Sequence, residues 1–68
     1  MNIVCLDETV VPEVRAVLLK YAVAQVRQQG PNLGSPAISV MVDVGLGANT
    51  ERALRREIAL ISGATIRS

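Results

Sequence analysis

Residues 37–62 have the sequence AISVMVDVGLGANTERALRREIALIS, in which an alternating pattern is followed by a helical one. In the first eight residues, Ile38, Val40, Val42 and Val44 point one way, whereas Ser39, Met41 and Asp43 point the other. This alternation predicts a strand with one buried face. The glycine-rich residues 45–48 predict a turn, and residues 51–61 predict a helix that is capped by Asn49 or Thr50.

The helix predicted for residues 51–61 separates apolar from charged side chains. Leu54, Ile58 and Ile61 share one face, and Arg52, Arg55 and Arg56 gather on the opposite side. Glu51 can pair with Arg55 at i,i+4, so the three arginines share about one acid. Guanidinium groups bind carboxylates and phosphates alike, which makes these arginines the predicted macromolecule-binding residues.

The amino-terminal half predicts two further elements. Residues 2–6 form an apolar run without alternation, which predicts a strand covered on both faces. Residues 12–29 carry a helical period that begins at Pro12 and ends before a Gly-Pro pair, so one long helix is predicted there. Residues 65–67 predict a short last strand.

The predicted first helix has two apolar stripes on nearly opposite sides. One contains Val14, Val17, Leu18 and Tyr21, and the other contains Leu19, Val23 and Val26. The first stripe can pack on the sheet, so the second stripe is the predicted oligomer interface. The alternative is that the carboxyl-terminal segment folds over the second stripe.

A chain of 68 residues forms one domain, residues 1–68, with a thin core, because so small a fold buries only about 60% of its unfolded surface. Cys5 is the single cysteine and histidine is absent, so neither an intramolecular disulfide nor the usual zinc ligands can stabilise it. We expect a β-α-β-α(-β) two-layer sandwich of the α/β class, with α+β as the alternative. Its helices cover one face of a short sheet that contains a parallel pair, and oligomerisation completes the fold.

Charge and hydropathy narrow the class of protein. Seven basic and six acidic residues give a net charge of +1, so the chain is no polycation. Its amino terminus lacks the basic region of a signal peptide, and its longest apolar stretch is too short for the ~20 residues of a spanning helix. We therefore expect a cytoplasmic protein without membrane attachment.

The glycine turn offers the one pattern associated with a small ligand. A strand that leads into Gly45 and Gly47, with Asn49 and Thr50 at the helix start, can hold an anion on backbone N–H groups. The third glycine and the acidic residue of a dinucleotide site are missing, and no P-loop lysine follows. The preferred interpretation is structural: the glycines supply unusual φ angles or close packing.

The chain lacks a recognisable set of catalytic residues, and we expect neither a metal nor a cofactor. Cys5 lies in an apolar run, which predicts a buried and inert thiol. The leading hypothesis is a small non-enzymatic regulator, adaptor or inhibitor that binds another macromolecule as a homo-oligomer, with a protein partner preferred over nucleic acid. The alternatives are a nucleic-acid-binding protein that uses the arginines, and a small phosphate-ligand-binding protein or enzyme that uses the glycine turn.

Overall fold

A computed structural model of the chain describes residues 1–67. Its elements, in chain order, are β1 (Asn2–Cys5), α1 (Val11–Lys20), β2 (Val26–Gln29), β3 (Ile38–Val42), α2 (Ala48–Ala59) and β4 (Ala64–Arg67). The strand, turn and helix predicted within residues 37–62 are confirmed, as are strands near both ends of the described chain. The predicted β-α-β-α(-β) order is wrong, because β2 adds a strand between the first helix and β3.

The prediction of one helix over residues 12–29 is wrong, because α1 ends at Lys20. Ala22 adopts a left-handed conformation with φ 61°, and the Val23 N–H donates to the Leu18 carbonyl at 2.9 Å. This six-to-one hydrogen bond is typical of a Schellman helix end, where the left-handed residue is usually glycine. Because the helix ends here, the residues that follow can pair with the sheet as β2.

The four strands form one sheet in the order β2-β3-β1-β4, and every neighbouring pair is antiparallel. The expected parallel pair between β1 and the alternating strand is therefore wrong, since the additional strand β2 reverses the chain before β3 begins. β1 and β2 run in the same direction with β3 between them. This α+β arrangement, β-α-β-β-α-β, is the split βαβ topology of ferredoxin-like domains.

Both helices bury side chains against a single face of the sheet. The buried core consists of Ile3, Cys5, Val10, Val11, Val14, Leu18, Val23, Ile38, Val40, Val42, Leu54 and Ile58. The expectation that the first strand is covered on both faces is wrong, because Asn2 and Val4 on its other side are only half-buried. Val44, predicted to be buried, is exposed because β3 ends two residues earlier.

The second face of the sheet is not covered by either helix, and we call it the open face. The strand register places Asn2 opposite both Met41 and Arg67, and Arg27 opposite Met41, in one row across all four strands. A second row contains Thr65, Val4, Ser39 and Gln29. The open face therefore carries amide, hydroxyl and guanidinium groups around a small apolar centre.

Gly63 links α2 to β4 in a conformation that favours glycine. Its φ is +88°, and a Cβ atom placed there would lie 3.0 Å from a methyl carbon of Val10. The Leu6 N–H donates to the Gly63 carbonyl at 2.7 Å and so ties this turn to the end of β1. The turn sets the position at which β4 enters the sheet.

Candidate binding surfaces

The position of α2 follows from its two fully buried side chains. Leu54 and Ile58 lie one turn apart and pack into the core, which directs the opposite side of the helix toward solvent. The helix begins after Gly47, whose φ of −62° and ψ of 151° are typical of an N-cap, and ends at Ala59. The predicted caps Asn49 and Thr50 are wrong, because both residues lie inside the first helical turn.

The structure divides the three predicted binding arginines into two groups. Arg52 and Arg56 are exposed, and within residues 1–67 neither of them forms an ion pair. Arg55 is half-buried and contacts Glu51 through one N–O distance of 3.3 Å, as the i,i+4 spacing predicted. Arg52 and Arg56 therefore form the charged part of one surface, and Arg55 belongs to another.

Two apolar residues extend the surface that Arg52 and Arg56 form. Ala59 is exposed, and Leu60, one turn beyond Arg56, is 82% exposed. Arg52, Arg56 and Leu60 follow one another at i,i+4, a step that rotates by only about 40° around a helix. Ala59, seven residues after Arg52, lies about 20° from it. These four side chains therefore form one stripe. We call Arg52, Arg56, Ala59 and Leu60 the α2 outer face.

Glu57 is the acid next to Arg56 in sequence, but it is bound to α1. Its carboxylate accepts hydrogen bonds from the Tyr21 hydroxyl and from the Lys20 ammonium, the latter at 2.9 Å. These bonds, first from Tyr21 and then from Lys20, hold the pKa of Glu57 below its ordinary value. The pKa of Tyr21 is raised mainly by the same hydrogen bond. Glu57 therefore joins the two helices and forms no ion pair with Arg56.

The glycine turn has a different conformation from the one expected. Gly45 and Gly47 have no positive φ angle, and a Cβ atom added at either position would meet nothing within 4 Å. The expectation that these glycines supply unusual φ angles or close packing is therefore wrong. Anion binding by Gly45, Gly47, Asn49 and Thr50 stays a prediction.

The three residues of the predicted oligomer interface lie together, but not as a helix stripe. Leu19, Val23 and Val26 line one small cavity of about 30 Å³ between the end of α1 and the start of β2. Leu19 is 61% exposed, Val26 is half-buried, and Val23 is 4% exposed within the chain's own core. The early end of α1 turns Val23 inward, and the assignment of these three residues to an oligomer interface stays a prediction. Leu19 is the most exposed of the three residues.

A groove that the sequence did not predict lies at one end of the open face. It has a volume of about 360 Å³ and is lined by Met1, Asn2, Met41, Val42, Asp43, Arg55 and Arg67. We call it the sheet-end groove. Its residues belong to three strands and one helix or lie directly beside them, so the strand register brings them together and no local sequence pattern indicates the groove.

Comparisons with known proteins return no match to a family model, a curated protein or a solved structure. Within residues 1–67, neither helix combines the length and the hydrophobicity needed to cross a membrane.

Cys5 is buried and forms no disulfide. Its burial is the main cause that raises the pKa of its thiol, and the nearby negative charge of Asp7 raises it further.

Proposed function

We propose that this protein is a small cytoplasmic regulator or adaptor without enzymatic activity, and that its α2 outer face binds an acidic, partly apolar surface of another protein. One observation carries the proposal. Arg52 and Arg56 are exposed, have no ion-pair partner among residues 1–67, and are followed on the same face by Leu60 at 82% exposure.

The composition of this face favours a protein partner over nucleic acid. Arginine is enriched in protein interfaces, where its guanidinium forks bind carboxylates, and an exposed leucine gains free energy only against an apolar surface. Nucleic-acid binding is stronger where aromatic side chains stack on bases. The one aromatic residue, Tyr21, donates its hydroxyl to Glu57 and lies between the helices.

We also propose that the protein functions as a homo-oligomer in a reducing compartment. So small a core supplies only about 3–5 kcal/mol of stability, which a second copy increases by covering apolar side chains such as Leu19. Cys5 as a free buried thiol fits the cytoplasm, where disulfides are rare.

The test compares two single charge reversals on exposed helical arginines, Arg56→Glu on α2 and Arg15→Glu on α1. Wild type and variants are immobilised, partners are recovered from the source cell, and the affinity of each recovered protein is measured by interferometry. We expect R56E, and more strongly R52E/R56E, to weaken binding at least about tenfold, because each replaces a charge-assisted contact by repulsion. R15E should bind like wild type.

Two results would contradict the proposal. Recovered partners that bind R52E/R56E as tightly as wild type would exclude the α2 outer face as the contact. A labelled single-stranded DNA or RNA that binds wild type with a steep salt dependence, and loses that binding in R52E/R56E, would instead assign the same arginines to nucleic acid.

A further inference from the structure

The two edges of the sheet, β2 and β4, differ in how they are protected against a further strand. Edge strands expose unpaired backbone N–H and C=O groups, and proteins usually block them with charged side chains, proline or a bulge. In β2 the side chains after the first are exposed and polar, Arg27 among them, and Pro31 follows the strand closely. β4 has the β-branched pair Thr65 and Ile66 at its centre, an unbroken register with β1, and a charge only at Arg67. β4 is therefore the edge that can accept another strand.

The hydrogen bonds between β1 and β4 show which backbone groups of β4 point outward. In an antiparallel pair, opposite residues alternate between exchanging both backbone hydrogen bonds and exchanging none. The Leu6 N–H donates to the Gly63 carbonyl at 2.7 Å, so the odd-numbered residues of β4 bond to β1. The N–H and C=O groups of Ile66 and the C=O group of Ala64 therefore point away from the sheet. The Ala64 N–H donates to the Ile61 carbonyl at 3.3 Å.

The apolar core is incompletely covered along the same edge. Ala64 and Ile66 are half-buried and pack against the core from the helix side of β4. α2 packs against β4, and β4 is the last strand in the order of the sheet. A strand placed beside β4 covers the outer sides of both residues, and it thereby gains apolar contact in addition to hydrogen bonds.

β4 itself presents the side chains that such a strand needs. In an antiparallel second copy with a two-fold axis at Thr65, the Ile66 N–H of each copy donates to the Ala64 carbonyl of the other. This register keeps the helix sides of both copies together and sets the small Ala64 against the large Ile66. The two Arg67 side chains lie four residues apart along the strands, about 13 Å. An axis at Ile66 brings these like charges to about 7 Å and is less favourable.

From these observations we propose that two copies of the chain pair through β4 about a two-fold axis at Thr65, so that two four-stranded sheets become one sheet of eight strands. This inference rests on the homo-oligomer proposed above and names a contact for it. The cavity beside Leu19 adjoins Val26 of β2, the opposite edge, so a contact there does not compete with the pairing. Each pair presents two copies of the α2 outer face, which is what bivalent binding to a protein partner requires.

The test measures amide hydrogen exchange by NMR in the ¹⁵N-labelled chain, at about 10 μM and at about 1 mM protein. Pairing through β4 covers the Ile66 N–H, so its exchange should slow as the protein concentration rises. With a Kd of about 1 mM, half of the chains are paired at the higher concentration and the rate falls about twofold, and a smaller Kd gives a larger fall. The Gln28 N–H, which points outward from β2 by the same alternation, is the internal control and should exchange equally at both concentrations.

Thr65→Lys and Gln29→Lys are a matched pair of variants. Both residues are exposed and lie in the same row of the open face, but they occupy opposite edges of the sheet. In T65K two like charges meet at the two-fold axis, which is destabilising, so the exchange of Ile66 should no longer depend on concentration. Q29K should keep that dependence. The Val40 N–H, which is bonded to β1, should stay protected in both variants and reports that the sheet is intact.

The contrary results are distinguishable from one another. A wild type that sediments as a monomer at about 1 mM would exclude both the pairing and the proposed homo-oligomer. An oligomeric wild type in which the exchange of Ile66 does not change with concentration would exclude β4 and leave the homo-oligomer to another surface. Slowing that persists in T65K would overturn the pairing. Slowing that also appears at Gln28 would mean that β4 pairs with β2 of the next copy, and it would overturn the two-fold arrangement.

Discussion

Replacing Ala22 by glycine should stabilise the protein, although glycine usually weakens a folded chain. Ala22 is exposed and has a φ of 61°, a region that costs a residue with a Cβ atom about 1–2 kcal/mol. Glycine adopts it freely but gives the unfolded chain more conformational entropy, which costs about 0.4–1 kcal/mol. The difference predicts a net gain of about 0.5–1 kcal/mol, and hence a rise in Tm of roughly 2–8 °C for a domain this small.

Ala16→Gly is the matched control, because Ala16 is also exposed but lies inside α1. Glycine in a helix interior is about 0.8–1.0 kcal/mol less favourable than alanine, so this variant should lose stability. Urea denaturation of wild type, A16G and A22G, monitored by circular dichroism, gives the two free-energy changes. The structure predicts that they have opposite signs.

A loss of stability in A22G equal to that in A16G would refute this reasoning. Such a result would place Ala22 inside a continuous helix, as the period of residues 12–29 predicted, and would remove β2 from the sheet. An independent measurement is the NOE pattern: the structure requires cross-strand contacts between Arg27 and Met41, which a continuous helix excludes.

Three further predictions concern the helix contact, the oligomer and the α2–β4 turn. Because the folded pKa of Glu57 is lowered, its stabilising effect is present above the ordinary value of about 4.3 and disappears as the pH falls through the folded pKa. In urea denaturation, the free energies of unfolding of wild type and E57Q should therefore converge at acid pH. A difference between them that does not change with pH would contradict this. Leu19→Glu should lower the native mass in sedimentation and lower the Tm, because the second copy no longer adds stability, while the circular dichroism of the folded chain is kept. A monomeric wild type would exclude the oligomer. Gly63→Ala should lower the free energy of unfolding in urea by about 1 kcal/mol or more beyond the loss in Gly34→Ala. Both glycines have a positive φ, but of the two only Gly63 has side chains close to the added Cβ atom. Equal losses in the two variants would show that this crowding has no energetic cost.

The elements that the sequence predicted correctly are those whose packing follows a local period. In β3 every second side chain is buried, as the alternation predicted. In α2 the i,i+4 pair Leu54 and Ile58 is buried, as the helical period predicted. β2 was missed for a physical reason. Its side chains after Val26 are exposed, so it has no buried alternation. In addition, the left-handed residue that follows the helix before it is an alanine instead of the usual glycine.

The candidate sites also differ in how far a local sequence period predicts them. The exposure of Arg52 and Arg56 follows from the helical period alone, and the structure places both on the solvent side of α2. The position of Asn2, Arg55 and Arg67 around one groove does not follow from any local period, because it depends on which strands are neighbours and in which register they pair. Sheet order is a property of the whole chain, and no short pattern encodes it.

The central position of β1 makes folding depend on segments from both halves of the chain. β1 pairs with β3 on one side and with β4 on the other, so residue 2 lies opposite residue 67 and residue 5 opposite residue 64. A fragment that ends before β4 leaves one edge of this strand without hydrogen-bond partners and Ile3 without its neighbour Ile66. We therefore expect the sheet to form in a single cooperative step that requires β4 together with the earlier strands.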